Sequence, residues 1–242
     1  MSDTPNNTDL LSHLEELRHT LIRCFIAIGI ILPLTLFLAP TLLDILIKYL
    51  IKDLPITLNF FSPMEIFILQ LKTALLLDLL ICFPYIAKQL WNFILPALYN
   101  HEHRFIKSIV ISSSTLFIIG VVFCLFFILP LIIRFGASYA TAEINVLFGI
   151  SNIVSLSLQL SVIFGIMFQF PLITYALIKA NIITYNTVKS KRPYIFTLIL
   201  IISALLTPPD IISQLMLTLP TYILFELGLY FAKKLSPAQK KA

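Results

Sequence analysis

Charge and glycine are both scarce in this chain. Acidic and basic side chains make up 12% of its 242 residues, about half of the ~25% usual for soluble proteins. Low charge combined with 59% apolar residues excludes a soluble globular domain and leaves an integral membrane protein. The six glycines build no phosphate-cradling loop before Lys-Ser/Thr, and neither His-Glu-x-x-His nor Gly-x-Ser-x-Gly occurs. The chain therefore does not hydrolyse ATP by itself, and no catalytic residue or cofactor is implied. Cys24, Cys82 and Cys124 fall within or beside apolar stretches, where a thiol acts as a small hydrophobe and says nothing about redox compartment. A basic leader is also missing, and the first apolar stretch ends without a small-residue cleavage signal, so it reads as a retained span.

What remains is six apolar stretches, at roughly 21–39, 66–87, 109–135, 153–178, 194–206 and 213–231, forming one all-α transmembrane domain. Of seventeen lysines and arginines, thirteen fall in the N-terminal region, the loops 88–107 and 179–192, and the tail. The opposite loops hold Lys48, Lys52 and Arg134, and Lys72 lies within an apolar stretch. This asymmetry places both termini in the cytosol. The net charge of +5 is thus topological, and no arginine-aromatic pattern points to nucleic acid.

The spans differ in length. At 1.5 Å per residue the third and fourth extend about 40 Å, whereas Tyr194 to Leu206 reaches only about 20 Å against a ~30 Å hydrocarbon core. Its partner from Gln214 onward contains Pro220, and the turn Thr207-Pro208-Pro209-Asp210 joins the two into a short hairpin. Such a hairpin beside long helices should thin the bilayer locally. No inverted internal repeat is present.

The longest outer loop, about 40–62, reads as a cap that ends in a helix-start signal. In Ser62-Pro63-Met64-Glu65 the serine caps, proline takes the first helical position and the glutamate completes a capping box. Lys72, seven residues on, shares a helical face with Glu65 and is placed to snorkel toward that end. Ser12-His13-Leu14-Glu15 looks like a second box, opening an amphipathic helix with a Leu10, Leu14, Leu17, Leu21 stripe on the inner membrane surface. Glu15 then has cap duty and Arg18 and His19 at helical spacing, while Glu16 has only His19 near.

Glu16 and Glu102 are carboxylates on an otherwise basic cytosolic side, an arrangement that suits an arginine-bearing ligand better than anionic lipid. His101, Glu102 and His103 are not a metal site, because the two histidines would point nearly opposite ways on a helix. Lys72, Asp78, Gln169 and Glu226 lie inside apolar stretches, where polar groups are costly and mark function or bundle packing. Gln169, just before Phe170-Pro171, needs a polar mate on another helix.

SHLEELR, FSPMEIF with Lys72 downstream, QLWNFILPALYNHEHR, KRPY at 191–194, LLTPPDIISQ and FELG occur in that order, and with them nearly the whole chain resembles the TatC family, the multi-spanning receptor subunit of the twin-arginine protein translocase. The resemblance implies a glove-shaped six-helix bundle in the cytoplasmic membrane of a bacterium. It implies a receptor for Arg-Arg signal peptides of folded precursors, assembled in several copies with single-span TatA and TatB partners and driven by the proton-motive force. Glu16, Glu102 and Phe93, with Arg18 and Arg104 of the same motifs, match the signal-binding patch. Gln169, Leu205 and Leu206 are the expected docking surface for partner helices. Ser62, Pro63, Glu65, Lys72, Asp210, Gln214 and Glu226 are the polar motif positions. Three positions depart from the pattern: Gln169 replaces a frequent glutamate, Tyr49 stands where proline is expected, and Asp78 has no counterpart. The competing classes are a solute or ion transporter, with Lys72, Asp78 and Gln169 along a path, and a scaffold without a peptide site.

Overall fold

The computed structural model describes residues 5–51, 58–59, 62–94, 103–137, 148–179, 182–206 and 211–233. Nearly all of this is helix: α1 (Pro5–Ile51), α2 (Pro63–Ile94), α3 (His103–Phe123), α4 (Leu129–Ala137), α5 (Ile150–Met167), α6 (Phe170–Lys179), α7 (Tyr185–Ser190), α8 (Arg192–Leu206) and α9 (Ile211–Lys233). A π-helical turn, Cys124–Ile128, joins α3 to α4. One short parallel pairing, β1 (Leu58–Asn59) with β2 (Phe148–Gly149), ties two loops together at the end of the bundle where α2 and α5 begin.

Among the described residues five segments are long and apolar enough to cross a bilayer: Leu14–Leu50, Met64–Ile94, Ile106–Gly136, Ile150–Lys179 and Gln214–Lys233. The sixth apolar helix, Arg192–Leu205, is shorter. With 15 residues, α8 is about 22 Å long, less than a ~30 Å core.

Two expectations at the ends of α1 need correction. The helix already runs from Pro5, so Ser12 lies inside it and does not open it. At the other end it continues through Pro40 to Ile51, so the first dozen residues assigned to the outer loop are helical. The segment 41–51 explains this: it is rich in Leu and Ile, Lys48 pairs with Asp44 at 2.6 Å across one turn, and Leu43 and Leu50 are buried. Tyr49, expected to be a proline, packs its ring on Phe126 at a centroid distance of 5.1 Å, which anchors this outer turn to the third span. With 47 residues α1 is about 70 Å long, more than twice the hydrocarbon thickness.

The fourth span is also not continuous. Proline at 171 has no N–H for the carbonyl four residues back, and α5 ends at Met167 before α6 starts at Phe170. At the break the Phe168 amide bonds the Phe164 carbonyl and the Gln169 amide bonds the Ile166 carbonyl, a tightened last turn. By contrast Pro33, Pro84 and Pro220 sit within unbroken helices. Near two of them hydroxyls bond back to carbonyls of their own helix, Thr35 to Leu32 and Thr221 to Leu217.

α1 lies along α2, α2 touches α3 and α5, α3 crosses α5, α6 rests on α9, and α8 pairs with α9. α5 is the most buried span and supplies Leu160, Ile163, Phe164 and Met167 to the central cluster. Its crossing with α3 depends on two glycines. A methyl group on Gly165 would lie 2.5 Å from the Phe117 ring, and one on Gly120 would lie 2.7 Å from the Phe164 carbonyl oxygen. Small residues at such a crossing let backbones approach, which is how membrane helices gain contact without a hydrophobic drive. Phe117 is held in turn by stacking on Phe83 of α2 at 3.8 Å.

Gly165→Val is therefore expected to lower the thermal unfolding midpoint of the detergent-solubilised protein sharply, by an overpacking cost of about 1–3 kcal/mol or more. Gly29→Ala, where an added methyl meets nothing within 4 Å, should leave that midpoint unchanged or slightly raised.

Candidate functional site

The N-terminal half of α1 and the C-terminal end of α2 run antiparallel and enclose a cavity of about 520 Å³. Glu16, His19, Thr20 and Arg23 face it from α1, the i, i+3, i+4, i+7 stripe of one helical face, with Glu15 at its edge. Gln89, Asn92 and Phe93 face it from α2. The structure thus brings Glu16 and Phe93, far apart in sequence, to one pocket. Two carboxylates oppose one guanidinium there, beside amides that donate and accept and an aromatic face. Such a wall suits a cationic, planar, hydrogen-bonding group such as guanidinium.

Arg18, two residues from Glu16, is exposed and does not line the cavity. Arg104 occupies the second position of α3. Glu102 and Asp210 lie outside the described residues.

A second, apolar groove of about 580 Å³ opens between α2, α3, α6 and α8. Phe83, Leu90, Trp91, Ile173 and Ile202 are among its walls, and its polar groups are Gln169 and Ser113. The Gln169 amide has a full set of partners within the chain. Its Oε1 accepts from the Ser113 hydroxyl at 2.6 Å, and its Nε2 donates to the carbonyls of Ser113 at 3.2 Å and Gly165 at 3.3 Å. The last contact follows from the helix break, because the Gln169 backbone amide has turned to Ile166 instead of Gly165. The polar mate expected from a partner's helix is thus Ser113 of α3. Leu205 is 80% exposed at the end of α8, and Leu206 is the last residue of that helix.

The remaining intramembrane polar groups divide clearly. Glu226 takes a 2.7 Å ion pair from Arg192 and a 3.0 Å hydrogen bond from the Tyr222 hydroxyl, linking α8 to α9. Gln214 donates to the Leu200 carbonyl at 3.1 Å across the same hairpin. Lys72 donates to the Ser155 hydroxyl at 2.9 Å, joining α2 to α5. Asp78 is fully buried; its Oδ1 accepts from the Cys82 thiol at 3.2 Å and its Oδ2 has no partner. At the start of α2 the Ser62 hydroxyl accepts from the Met64 amide at 3.3 Å, with Pro63 at the first helical position.

Sequence reasoning missed Arg192 and Ser113. Arg192 sits in a basic cluster that reads as solvent charge, and Ser113 in an apolar helix where hydroxyls usually bond their own backbone. Neither partner is near its mate in sequence, so only packing brings them together. Among the described residues no three metal-ligating side chains cluster.

Residues 12–220 match the family model described as Sec-independent protein translocase protein (TatC). The Sec-independent protein translocase protein TatC of Escherichia coli (strain K12) is 35% identical over 229 residues, covering 93% of this chain and 88% of that protein. The TatC protein of Aquifex aeolicus is 33% identical, with 96% and 97% covered. A crystal structure of the twin-arginine translocase receptor TatC in DDM superposes with a TM-score of 0.83 at 32% identity, covering 91% of this chain and 99% of that one.

The Gln169 and Glu226 networks generate a stability test. Gln169→Leu orphans the buried Ser113 hydroxyl and should cost about 1–3 kcal/mol in denaturant or thermal unfolding. Arg192→Met should destabilise more than the double variant Arg192→Met/Glu226→Leu, since the single change leaves a half-buried carboxylate without its cation. Equal losses in the single and double variants would contradict that account.

Proposed function

Because the chain belongs to the TatC family of Sec-independent protein translocase proteins, and is thus a membrane transport component, we propose that it is the receptor subunit that binds Arg-Arg signal peptides of folded precursors. The observation that carries this reading is the cavity between α1 and α2, where Glu16 and Phe93 meet. An arginine of the signal lies against Glu16, with the second arginine assigned to Glu102, and an apolar signal residue rests on Phe93. Arginine is preferred to lysine because its fork meets a carboxylate through two parallel hydrogen bonds, which a lysine ammonium cannot reproduce. At about 4 Å and an effective dielectric near 20, each pair has roughly 4 kcal/mol of gross attraction, reduced to about 1 kcal/mol or less by desolvation and screening. One pair alone discriminates poorly, and two acting together account for the paired motif. Arg18 and Arg104, of the same motifs, are assigned to the signal-binding patch by the family resemblance alone.

The lysine and arginine asymmetry supports both termini on the cytosolic side with the six apolar stretches as spans, and the family resemblance assigns the chain to a bacterial cytoplasmic membrane. TatA- and TatB-type single-span partners are assigned to the thin side of the bundle, at Leu205, Leu206 and the groove beside Gln169. The exposure of Leu205, the short α8 and the apolar groove walls support that assignment. The family resemblance assigns the driving force to the proton-motive force.

Purified receptor should bind an Arg-Arg signal peptide more tightly than its Lys-Lys counterpart. Glu16→Ala and Glu102→Ala should each weaken the Arg-Arg peptide by about fivefold, the upper end for a surface ion pair, with Glu102→Lys worse than either. Photocrosslinking from Phe93 should fade when the arginines are replaced. Equal binding of both peptides by the wild type and the double alanine variant would refute the assignment. Cysteines at Asn6 and Gln239 should be blocked only by reagents that reach the cytosol, those at Asp53 and Asn145 from outside; external labelling at Asn6 would overturn the topology.

A further inference from the structure

Nearer the starts of α2 and α5, a third cleft of about 390 Å³ runs between these two helices and reaches Ile28 of α1. Its composition is graded along its length. Lys72 and Ser155 stand at the end nearer the helix starts, and Leu75, Leu79, Leu158 and Val162 wall the part that runs toward mid-bundle, with Gln159 the one polar side chain among them. Lys72 is nine residues into α2 from Pro63, about 13 Å along the axis, and its side chain is exposed on the bundle surface.

That placement leaves the cation short of partners. One of its three N–H donors goes to Ser155 at 2.9 Å. Among the described residues no carboxylate lies within ion-pair distance of it. An ammonium facing lipid at this depth is expensive, and snorkelling recovers only part of the cost. An anionic acceptor on the remaining donors offsets the rest. The apolar walls immediately below specify what carries that acceptor: a molecule with an oxyanion attached to a hydrocarbon chain.

We propose that this cleft is a phospholipid site, in which the lipid phosphate accepts from Lys72 Nζ and one acyl chain lies along Leu75, Leu79, Leu158 and Val162. Lysine serves phosphate as a point charge, so the contact tolerates different headgroups. Ser155 holds the ammonium at the mouth of the cleft. The phosphate is drawn below its usual level, so the lipid itself bridges the surrounding bilayer to this flank of the protein.

The test uses the full chain purified in dodecyl maltoside, delipidated, and titrated with phosphatidylglycerol, with lipid retention read by native mass spectrometry and stability by thermal unfolding. The wild type should retain one phosphatidylglycerol more than Lys72→Met and show a concentration-dependent rise in unfolding midpoint that Lys72→Met lacks. Lys72→Arg should keep both effects. Val162→Phe, which fills the cleft and leaves the ammonium in place, should lose the lipid, so the outcome does not rest on one variant's folding. Diacylglycerol, lacking phosphate, and inorganic phosphate, lacking the chain, should each fail to raise the midpoint. Equal retention by the wild type and Lys72→Met, or an equal shift with inorganic phosphate alone, would overturn the proposal.

Discussion

A polar group inside a bilayer has no water to fall back on, and the architecture of this protein follows from where each such group finds a partner. Gln169 is the clearest case. The proline two residues on breaks the fourth span, the break releases the Gly165 carbonyl, and the Gln169 side chain closes over it while gripping Ser113 of α3. One side chain thereby ties both halves of a broken helix to its neighbour. The same logic joins α8 to α9 through Arg192 and Glu226, and α2 to α5 through Lys72 and Ser155. Asp78 departs from this pattern, with one buried oxygen unpartnered and a thiol on the other, and Arg192 Nε also has no hydrogen-bond partner.

Apolar packing is layered onto these links. The α3–α5 crossing brings Gly120 and Gly165 together, the Phe117 ring fills the remaining space, and Phe83 stacks on it from α2. At the other end of the bundle Leu50, Leu129, Ile133 and Ile153 hold the extension of α1 against the third and fourth spans, with Tyr49 on Phe126. Leu43 of α1 and Leu69 of α2 share a further cluster with Ile150, Val154 and Leu158 of α5, and α1 and α2 lie side by side as far as the cavity at the Glu16 end.

Placement on different faces and levels of the bundle separates chemistries that would otherwise compete. Titratable side chains line the cavity between α1 and α2, aromatic and aliphatic walls make the groove beside Gln169, and a single cation tops the leucine-lined cleft near α5. A peptide cation, a partner helix and a lipid phosphate call for different dielectric surroundings, and the bundle offers each its own.

Composition and motif order alone were enough to identify a helical membrane protein of the TatC family, because apolar run length and the order of short motifs are local properties that need no folding to be read. The same local reading misjudged both ends of α1 and the continuity of the fourth span. Proline's effect depends on its three-dimensional surroundings: α1 continues through Pro40, whereas the fourth span breaks just before Pro171. The meeting of Glu16 with Phe93, the Ser113 partner of Gln169 and the Arg192 partner of Glu226 were settled by tertiary structure. Each joins residues dozens of positions apart, and a sequence records what a side chain needs but not which distant helix will supply it.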